Sequence, residues 1–326
     1  MHFPTTRSLR FAPLALPLLL ASLGVACGGS TSSDKAAGGN DAAASGNDAA
    51  STGDDGGGAD ASEGGALPPV VAAGTTFGTY IVLGDSISAG GGQGPFFYDL
   101  LNQNDNTTYP AWQGHDLQTK FPGIQYVHAA VAGSITGAYG DALTAGAPLL
   151  SAQITGLGSS YPGDILVTIT IGGNDLNDHA GDAILGLDTT DKMTFAANLK
   201  ADLDALLAPG RLGSGKVWVL EANIYDSSDG QGDFKSKGGA ECPPYNVSAS
   251  QDVTAFGDWN AIITSAVAAH ASAGDYLWDI HSFFSGHGFN SSDNWYYVDC
   301  IHPNQKGHDE LRREAWHAIT GEDIQD

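Results

Sequence analysis

Short apolar stretches alternate with stretches of helical periodicity through the last three quarters of the chain, and this alternation limits the fold more than any other feature. The clearest apolar stretch is 164–171, where nearly every residue is aliphatic or β-branched, as in a parallel strand buried on both faces. The clearest helical stretch is 193–207, with Phe195, Leu199 and Leu203 on one face. Alternating strands and helices predict a parallel sheet covered by helices on both sides, a three-layer α/β/α architecture.

The same pattern predicts where the individual elements lie. The predicted strands are 80–83, 124–131, 164–171, 216–223 and 276–280. The predicted helices are 109–121 with Pro110 at its first position, 148–157, 193–207, 253–271 and a last helix ending near 318. Residues 96–101 fit a short helix or an apolar lip, and 225–248 is a long loop.

The N-terminal quarter has the composition of a targeting segment and a tether. Residues 1–26 are weakly basic and then apolar, too short to span a membrane, and predict a secretory signal. The end of this segment, 23–27, is similar to the lipobox of bacterial lipoproteins, with Gly24 where Leu is usual, so we expect lipidation of Cys27. Residues 27–73 are low in complexity and predict a disordered tether, which leaves 74–326 as the folded domain.

A secretory signal predicts a protein that lies outside the cytoplasm. We expect a protein exported and anchored by lipid to the bacterial cell envelope, at the outer membrane or surface. The alternative is ordinary cleavage near Ala26, which would give a freely secreted protein.

Charge excludes one class of partner. The formal net charge of −24 argues against nucleic acid, because phosphate binding needs Lys and Arg. It also disfavours docking on anionic lipid, so membrane contact is expected only through the N-terminal anchor. We expect a monomer.

Polar residues follow the predicted strands where catalytic groups of parallel sheets lie. Ser86 comes just past the first strand and is a candidate nucleophile, although Gly-Asp-Ser also fits a simple turn. Asp299 and His302 offer an acid and a base three residues apart, although Asp299 also fits the N-cap of a helix. Gly133 and Asn174 lie at further glycine turns and are candidate donors to an oxyanion.

Together these motifs resemble those of the GDSL or SGNH hydrolases. The motifs are Gly-Asp-Ser-Ile-Ser at 84–88, Gly133, Gly-Gly-Asn-Asp at 172–175, and Asp299 to His302 followed by Pro303. The sequence departs from the usual motifs of this family at two places. Ile87 stands where Leu is usual, and His128 or Ala129 stands where an Asn often precedes the glycine that corresponds to Gly133.

The resemblance implies a flavodoxin-like fold and an esterase or lipase that works through an acyl-enzyme. It implies that Ser86 is the nucleophile, His302 the base and Asp299 the residue that orients it. It also implies that Ser86 N–H, Gly133 and Asn174 form the oxyanion hole. The residue two after Ser86 is Ser88, which separates the chain from the Gly-x-Ser-x-Gly hydrolases.

Cysteines and histidines suggest a disulfide rather than a metal site. With Cys27 lipidated, Cys242 and Cys300 remain, and an exported protein favours a bridge between them; two unpaired thiols are the alternative. Two distant thiols lack the spacing of a zinc site, so we expect no metal, and nothing in the sequence calls for a cofactor. The scattered histidines fit surface or core positions: His179, His270, His281, His287, His308 and His317.

The sequence is consistent with three hypotheses for the function. The first is a fatty-acyl esterase or lipase and the second a polysaccharide O-acetylesterase. The third, from another class, is a non-catalytic carbohydrate-binding surface lipoprotein. Aromatic residues at 96–98 and 295–297 either wall an acyl pocket, stack on a sugar or belong to the core.

Overall fold

The computed structural model describes residues 74–232 and 248–325, and these contain a five-stranded sheet in the order β2-β1-β3-β4-β5. All neighbouring strands are parallel, which confirms the predicted α/β architecture, and the order is that of flavodoxin-like folds. The strands are β1 (Phe77–Gly84), β2 (Gln125–His128), β3 (Asp164–Thr170), β4 (Val217–Ala222) and β5 (Asp275–Trp278).

Helices cover both faces of the sheet. Along the chain they are α1 (Phe97–Asn102), α2 (Leu117–Lys120), α3 (Leu150–Gly156), α4 (Gly173–Asp178), α5 (Ala180–Leu185), α6 (Thr189–Leu206), α7 (Ala249–His270), α8 (Ile280–Phe284) and α9 (Gln305–Thr320). Two 3₁₀ turns, Pro110–Trp112 and Ala271–Ala273, complete the regular structure described.

Strand periodicity divides the core into two hydrophobic clusters. On one face Val82 and Leu220 pack with Leu311 of α9 and with the aromatic residues around α1 and α8. On the other face Val167 packs with Leu199 of α6, together with residues of α3 and α7. Because successive strand residues point to opposite faces, the buried strands β1, β3 and β4 serve both clusters at once.

The predicted helix 109–121 is wrong. The structure has the short 3₁₀ turn, then a break at Gly114, then α2. Gly114 adopts φ +91°, which an α-helix cannot contain, and Asp116 then caps α2 by accepting from the Thr119 N–H at 2.8 Å. Pro110 does begin a helical turn, but the turn is not continued.

Other differences concern the ends of elements. Helix α6 begins at Thr189 rather than 193, and the predicted second strand shortens to β2 at the sheet edge. The predicted turn at 172–175 is the beginning of α4, with Gly172 at its N-cap in the left-handed region. Helices α4 and α5 carry little apolar periodicity, so the sequence pattern did not show them.

Several predictions lie outside the described residues: the signal segment, Cys27, the tether and Cys242. The bridge between Cys242 and Cys300 therefore stays a prediction. Among residues 74–232 and 248–325, none of the helices has the length and hydrophobicity that a membrane-spanning segment requires.

A buried carboxyl cluster interrupts the α6 side of the core. Glu221 of β4 is fully buried, and neither of its carboxyl oxygens has a hydrogen-bond partner within the described part of the chain. Burial raises its pKa well above the ordinary value, and the nearby Asp275 and Asp202 raise it further. Burial also raises the pKa of Asp202 and that of Asp275 to about 7.

This cluster predicts a stability that falls as pH rises. Because the folded-state pKa values of Asp202 and Asp275 are raised from 3.8 to about 7, their stabilising protonation is complete below about pH 4 and is lost as pH rises through 7. Glu221→Gln keeps the shape and removes one ionisable group. At pH 8 it should raise the free energy of unfolding by about 1–3 kcal/mol, measured by urea denaturation.

At pH 5 the gain from Glu221→Gln should be smaller, because the wild-type cluster is then largely protonated. Asp182→Asn, which removes an exposed carboxylate, is the control for net charge and should change stability little at either pH. An equal gain in both variants would show that overall charge, rather than burial, governs the pH dependence.

Candidate active site

The end of β1 lies so close to β3 that only glycine fits. Gly84 adopts φ +120°, and a Cβ there would lie 2.1 Å from the Thr170 carbonyl oxygen. The next residue, Asp85, donates its N–H to that oxygen at 2.8 Å. The chain therefore leaves the sheet abruptly, and Ser86 is set at the carboxyl edge.

Gln153 of α3 holds this exit in place, a role that no sequence motif indicated. Its side-chain oxygen accepts the Gly84 N–H at 2.9 Å, and its Nε2 donates to the Gly84 oxygen and to the Ser134 Oγ, both at 2.8 Å. Because Gln153 is buried, these bonds satisfy groups that water does not reach. One amide thus joins the first and second sequence motifs.

Ser86, His302 and Asp299 form a continuous chain of hydrogen bonds. His302 Nε2 lies 2.7 Å from Ser86 Oγ, and His302 Nδ1 lies 2.7 Å from Asp299 Oδ2. Residues separated by more than 200 positions are thereby joined, as the predicted roles require.

The loop 299–302 turns back on itself to bring acid and base together. The other carboxyl oxygen of Asp299 accepts the N–H groups of Ile301 at 3.1 Å and His302 at 3.0 Å. Cys300, which follows Asp299 directly, adopts φ +61°, a left-handed conformation uncommon outside glycine. Helix α9 begins only at Gln305 with Asn304 as its N-cap, so the alternative of Asp299 as an N-cap is wrong.

Electrostatics keep Asp299 ionised. Partial burial alone would raise the pKa of this carboxyl, but the hydrogen bonds from the His302 side chain and from the His302 and Ile301 N–H groups outweigh it and hold the pKa below its ordinary value. Asp299 therefore stays an acceptor for the Nδ1–H of His302.

Gly133 and Asn174 lie beside Ser86 at the same cavity. Gly133 adopts φ +79°, and Asn174 Nδ2 donates one N–H to the Ser134 oxygen at 2.9 Å. The second Nδ2 hydrogen is left for a ligand. Within the described residues no acceptor takes the backbone N–H of Ser86 or of Gly133.

Asp175 fixes the two oxyanion candidates relative to each other. It is fully buried and accepts from the Thr136 N–H at 3.0 Å, the Thr136 hydroxyl at 2.6 Å and the Tyr139 hydroxyl at 2.8 Å. Burial raises the pKa of Asp175, and these hydrogen bonds oppose that effect. Helix α4, which carries Asn174, is thereby tied to the loop that follows Gly133.

The cavity over Ser86 has a volume of about 400 Å³ and mostly apolar walls. Its apolar lining comprises Ile87, Ala132, Ile171, Leu176, Ile224, Phe256, Ile280 and Ile301. The aromatic residues at 96–98 and 295–297 do not line it: Phe97, Tyr98, Trp295 and Tyr296 are buried in the core. The core interpretation therefore holds for these four residues.

In the described part of the chain, the histidines other than His302 have local partners. His179 contacts Asp141 and the Asp175 carbonyl, and His270 contacts Asp204. Within the described ranges, no group of three or more His, Cys, Asp or Glu side chains is placed to hold a metal ion.

The role of Gln153 predicts a large effect of its replacement. Gln153→Leu would leave the buried N–H of Gly84 without its partner, and such a group costs about 1–3 kcal/mol. The Gly84 carbonyl would lose one of its two donors and keep the Val131 N–H at 3.1 Å. We expect the free energy of unfolding, measured in urea, to fall by about 1–3 kcal/mol. Gln103→Leu at an exposed position is the control; a similar loss there would contradict the assignment.

Comparison with known proteins gives structural likenesses of low sequence identity. An extracellular lipase from Streptomyces rimosus is 22% identical over 74% of this chain and 99% of its own, with a TM-score of 0.46. A phospholipase A1 from Streptomyces albidoflavus is 20% identical over 76% and 99%, with a TM-score of 0.47. An acetylxylan esterase from Geobacillus stearothermophilus is 14% identical over 77% and 98%, with a TM-score of 0.42.

Comparison with curated proteins found no match. Residues 82–310 match the profile of the GDSL-like lipase/acylhydrolase family, and this span contains every residue of the hydrogen-bonded chain and both oxyanion candidates. The match covers well over half of the sequence, and the chain therefore belongs to the GDSL-like lipase/acylhydrolase family.

Proposed function

We propose that the protein hydrolyses carboxylic esters through an acyl-enzyme formed on Ser86. The observation that carries this proposal is the chain from Asp299 through His302 to Ser86, with both distances at 2.7 Å, at the wall of an apolar cavity. A hydroxyl in contact with an oriented imidazole is the arrangement that nucleophilic catalysis requires.

In the first step His302 Nε2 takes the Ser86 proton while Oγ attacks the ester carbonyl. The ring is held in the required tautomer because its Nδ1–H is donated to ionised Asp299. The resulting imidazolium then gives its proton to the leaving alcohol. In the second step His302 activates a water that releases the acid from Ser86.

Negative charge that develops on the carbonyl oxygen needs donors already in place. We assign this role to the N–H groups of Ser86 and Gly133 and to the side chain of Asn174, which line the same cavity. The Gly84 exit, Gln153 and Asp175 hold these donors so that little reorganisation accompanies the reaction.

The cavity favours an ester with an aliphatic acyl group. Apolar side chains dominate its lining, and burial of a hydrocarbon chain there is favourable by about 25 cal/mol per Å². We therefore propose a fatty-acyl esterase or lipase as the first function.

A polysaccharide O-acetylesterase is the second candidate. Asn177, Asn223, Asp226 and Ser227 also line the cavity and offer partners for sugar hydroxyl groups, and one structural relative is an acetylxylan esterase. The non-catalytic alternative gives no reason for the hydrogen-bonded Ser86–His302 pair. A panel of p-nitrophenyl esters from acetate to palmitate, with acetylated xylan alongside, separates the three functions. A preference for longer chains supports the first, acetyl release from xylan supports the second, and no hydrolysis of any ester supports the third.

Ser86→Ala removes the nucleophile. We expect kcat on the best p-nitrophenyl ester to fall by about 10³–10⁶-fold, the range for loss of a triad member. Ser265→Ala, on the exposed face of α7, is the matched control and should keep wild-type turnover. Wild-type turnover in well-folded Ser86→Ala protein would contradict the proposed mechanism.

Activity should fall in acid, because the proposed mechanism needs an unprotonated base to accept the Ser86 proton. Asp85 is a second group to consider, because burial raises its pKa from 3.8 to about 6 and it lies next to Ser86. Asp85→Asn removes this group, and the fall of kcat/KM in acid should persist in the variant. A pH profile that becomes flat to pH 4 in Asp85→Asn would assign the acid limb to Asp85 instead.

We further propose that the protein is exported and anchored through a lipidated Cys27, with the N-terminal tether spacing the hydrolase from the membrane. The composition of residues 1–73 supports this proposal. The buried Cys300 lies in the loop 299–302, so a bridge to Cys242 would restrict the movement of that loop. Mass spectrometry of the non-reduced protein tests both: a lipid adduct at Cys27, and the loss of two hydrogens between the other cysteines.

A further inference from the structure

His308 is a buried histidine that the proposed mechanism does not use. It lies in the first turn of α9, is fully buried, and packs its ring edge-to-face with Phe96 at 5.2 Å between centroids. Its Nδ1 has no hydrogen-bond partner in the part of the chain that the structure describes. A buried nitrogen without a partner costs free energy. The hydrogen bond of the other ring nitrogen therefore has to account for the position of this side chain.

That other nitrogen, Nε2, lies 2.9 Å from the carbonyl oxygen of Gly91. Burial lowers the pKa of His308 to about 4, so the ring is uncharged at neutral pH. A carbonyl only accepts, so the single ring proton of His308 sits on Nε2 and is donated to Gly91.

Gly91 lies directly between His308 and the catalytic histidine. Its N–H donates to the Ser86 carbonyl oxygen at 2.6 Å. A Cβ on Gly91 would lie 2.4 Å from His302 Cδ2 and 2.8 Å from His302 Nε2. The backbone at Gly91 therefore contacts the edge of the imidazole that faces Ser86, at a distance that only glycine allows.

The next residues continue this contact. A Cβ on Gly92 would lie 3.0 Å from the His302 Cβ and 2.0 Å from the Pro303 oxygen, and Gln93 donates its N–H to that oxygen at 3.1 Å. We call residues 90–93 the glycine wall. The wall is fixed by hydrogen bonds to Ser86, to Pro303 and, through the Gly91 carbonyl, to His308.

The hydrogen bond from Nδ1 to Asp299 would by itself still allow the His302 ring to rotate, and this rotation would move Nε2 away from Ser86. The glycine wall restricts the rotation, because it contacts the ring at Nε2 and Cδ2. A misplacement of reacting groups by about 1 Å costs up to about 100-fold in rate. We propose that His308 is a positioning residue for His302: by donating to the Gly91 carbonyl it holds the glycine wall against the imidazole and keeps Nε2 on Ser86.

The inference rests on the proposed function, and its test is a set of variants assayed on a p-nitrophenyl ester, with active sites counted by a fluorophosphonate. His308→Phe keeps a flat ring but has no donor. His308→Gln places an amide N–H near the position of Nε2. Ile319→Ala is the control, because it removes buried bulk from the same helix far along the chain from the wall.

We expect His308→Phe to lower kcat per active site by about 10–100-fold with KM changed less than about 2-fold, because the wall acts on the catalytic histidine and not on substrate binding. His308→Gln should recover most of the lost kcat. Ile319→Ala should lower the melting temperature and leave kcat unchanged. If His308→Phe does not fold, Gly91→Ala tests the wall directly, and its Cβ should lower kcat at least as much.

Three results would overturn the inference: wild-type kcat in His308→Phe, equal losses in the Phe and Gln variants, or an equal loss in Ile319→Ala. If His308→Phe does not fold, a wild-type kcat in Gly91→Ala would likewise overturn the inference. These outcomes all presuppose an active wild type. A wild type that hydrolyses no ester would overturn the proposed function itself, and the inference with it.

Discussion

The close approach of β1 to β3 at Gly84 is the constraint on which the site depends. Because the Gly84 backbone lies against the Thr170 carbonyl, the chain must leave the sheet at that point, and the next two residues are Asp85 and Ser86. A side chain at Gly84 would force β1 away from its neighbour. The position of Ser86, the proposed nucleophile, thus follows from a packing requirement in the middle of the sheet.

A second set of contacts brings the distant motifs to this exit. Gln153 joins Gly84 to Ser134, and Asp175 joins α4 to the loop after Gly133. Asp299 binds His302 at Nδ1, on the side of the ring away from Ser86. Each of these side chains is a buried or partly buried polar group with several hydrogen bonds. Such groups are satisfied in only one arrangement, so they specify the geometry more strictly than apolar packing does.

The fold could be predicted from the sequence, and so could the residues that meet in the candidate site, for a physical reason. Strands buried on both faces, such as β3, need long apolar runs, and parallel strands bring their carboxyl ends to one edge, where Ser86 and Asn174 lie. Gln153 and His308 were not predicted, because each sits in a helix and acts through backbone groups far away in sequence. Their partners, Gly84 and Gly91, carry no side chain that would mark the contact. Helix 109–121 was predicted wrongly because its apolar spacing continues across Gly114, whose backbone ends the helix.

The buried carboxyl groups also change the charge that the folded protein presents. The formal value of −24 counts every Asp and Glu as ionised. Burial raises the pKa of Asp85 to about 6 and those of Asp202, Asp252 and Asp275 to about 7, so near pH 6 these groups hold protons that the unfolded chain would release. Folding in that range therefore takes protons up from the buffer, and the native molecule moves in an electric field as a less acidic protein than its composition implies.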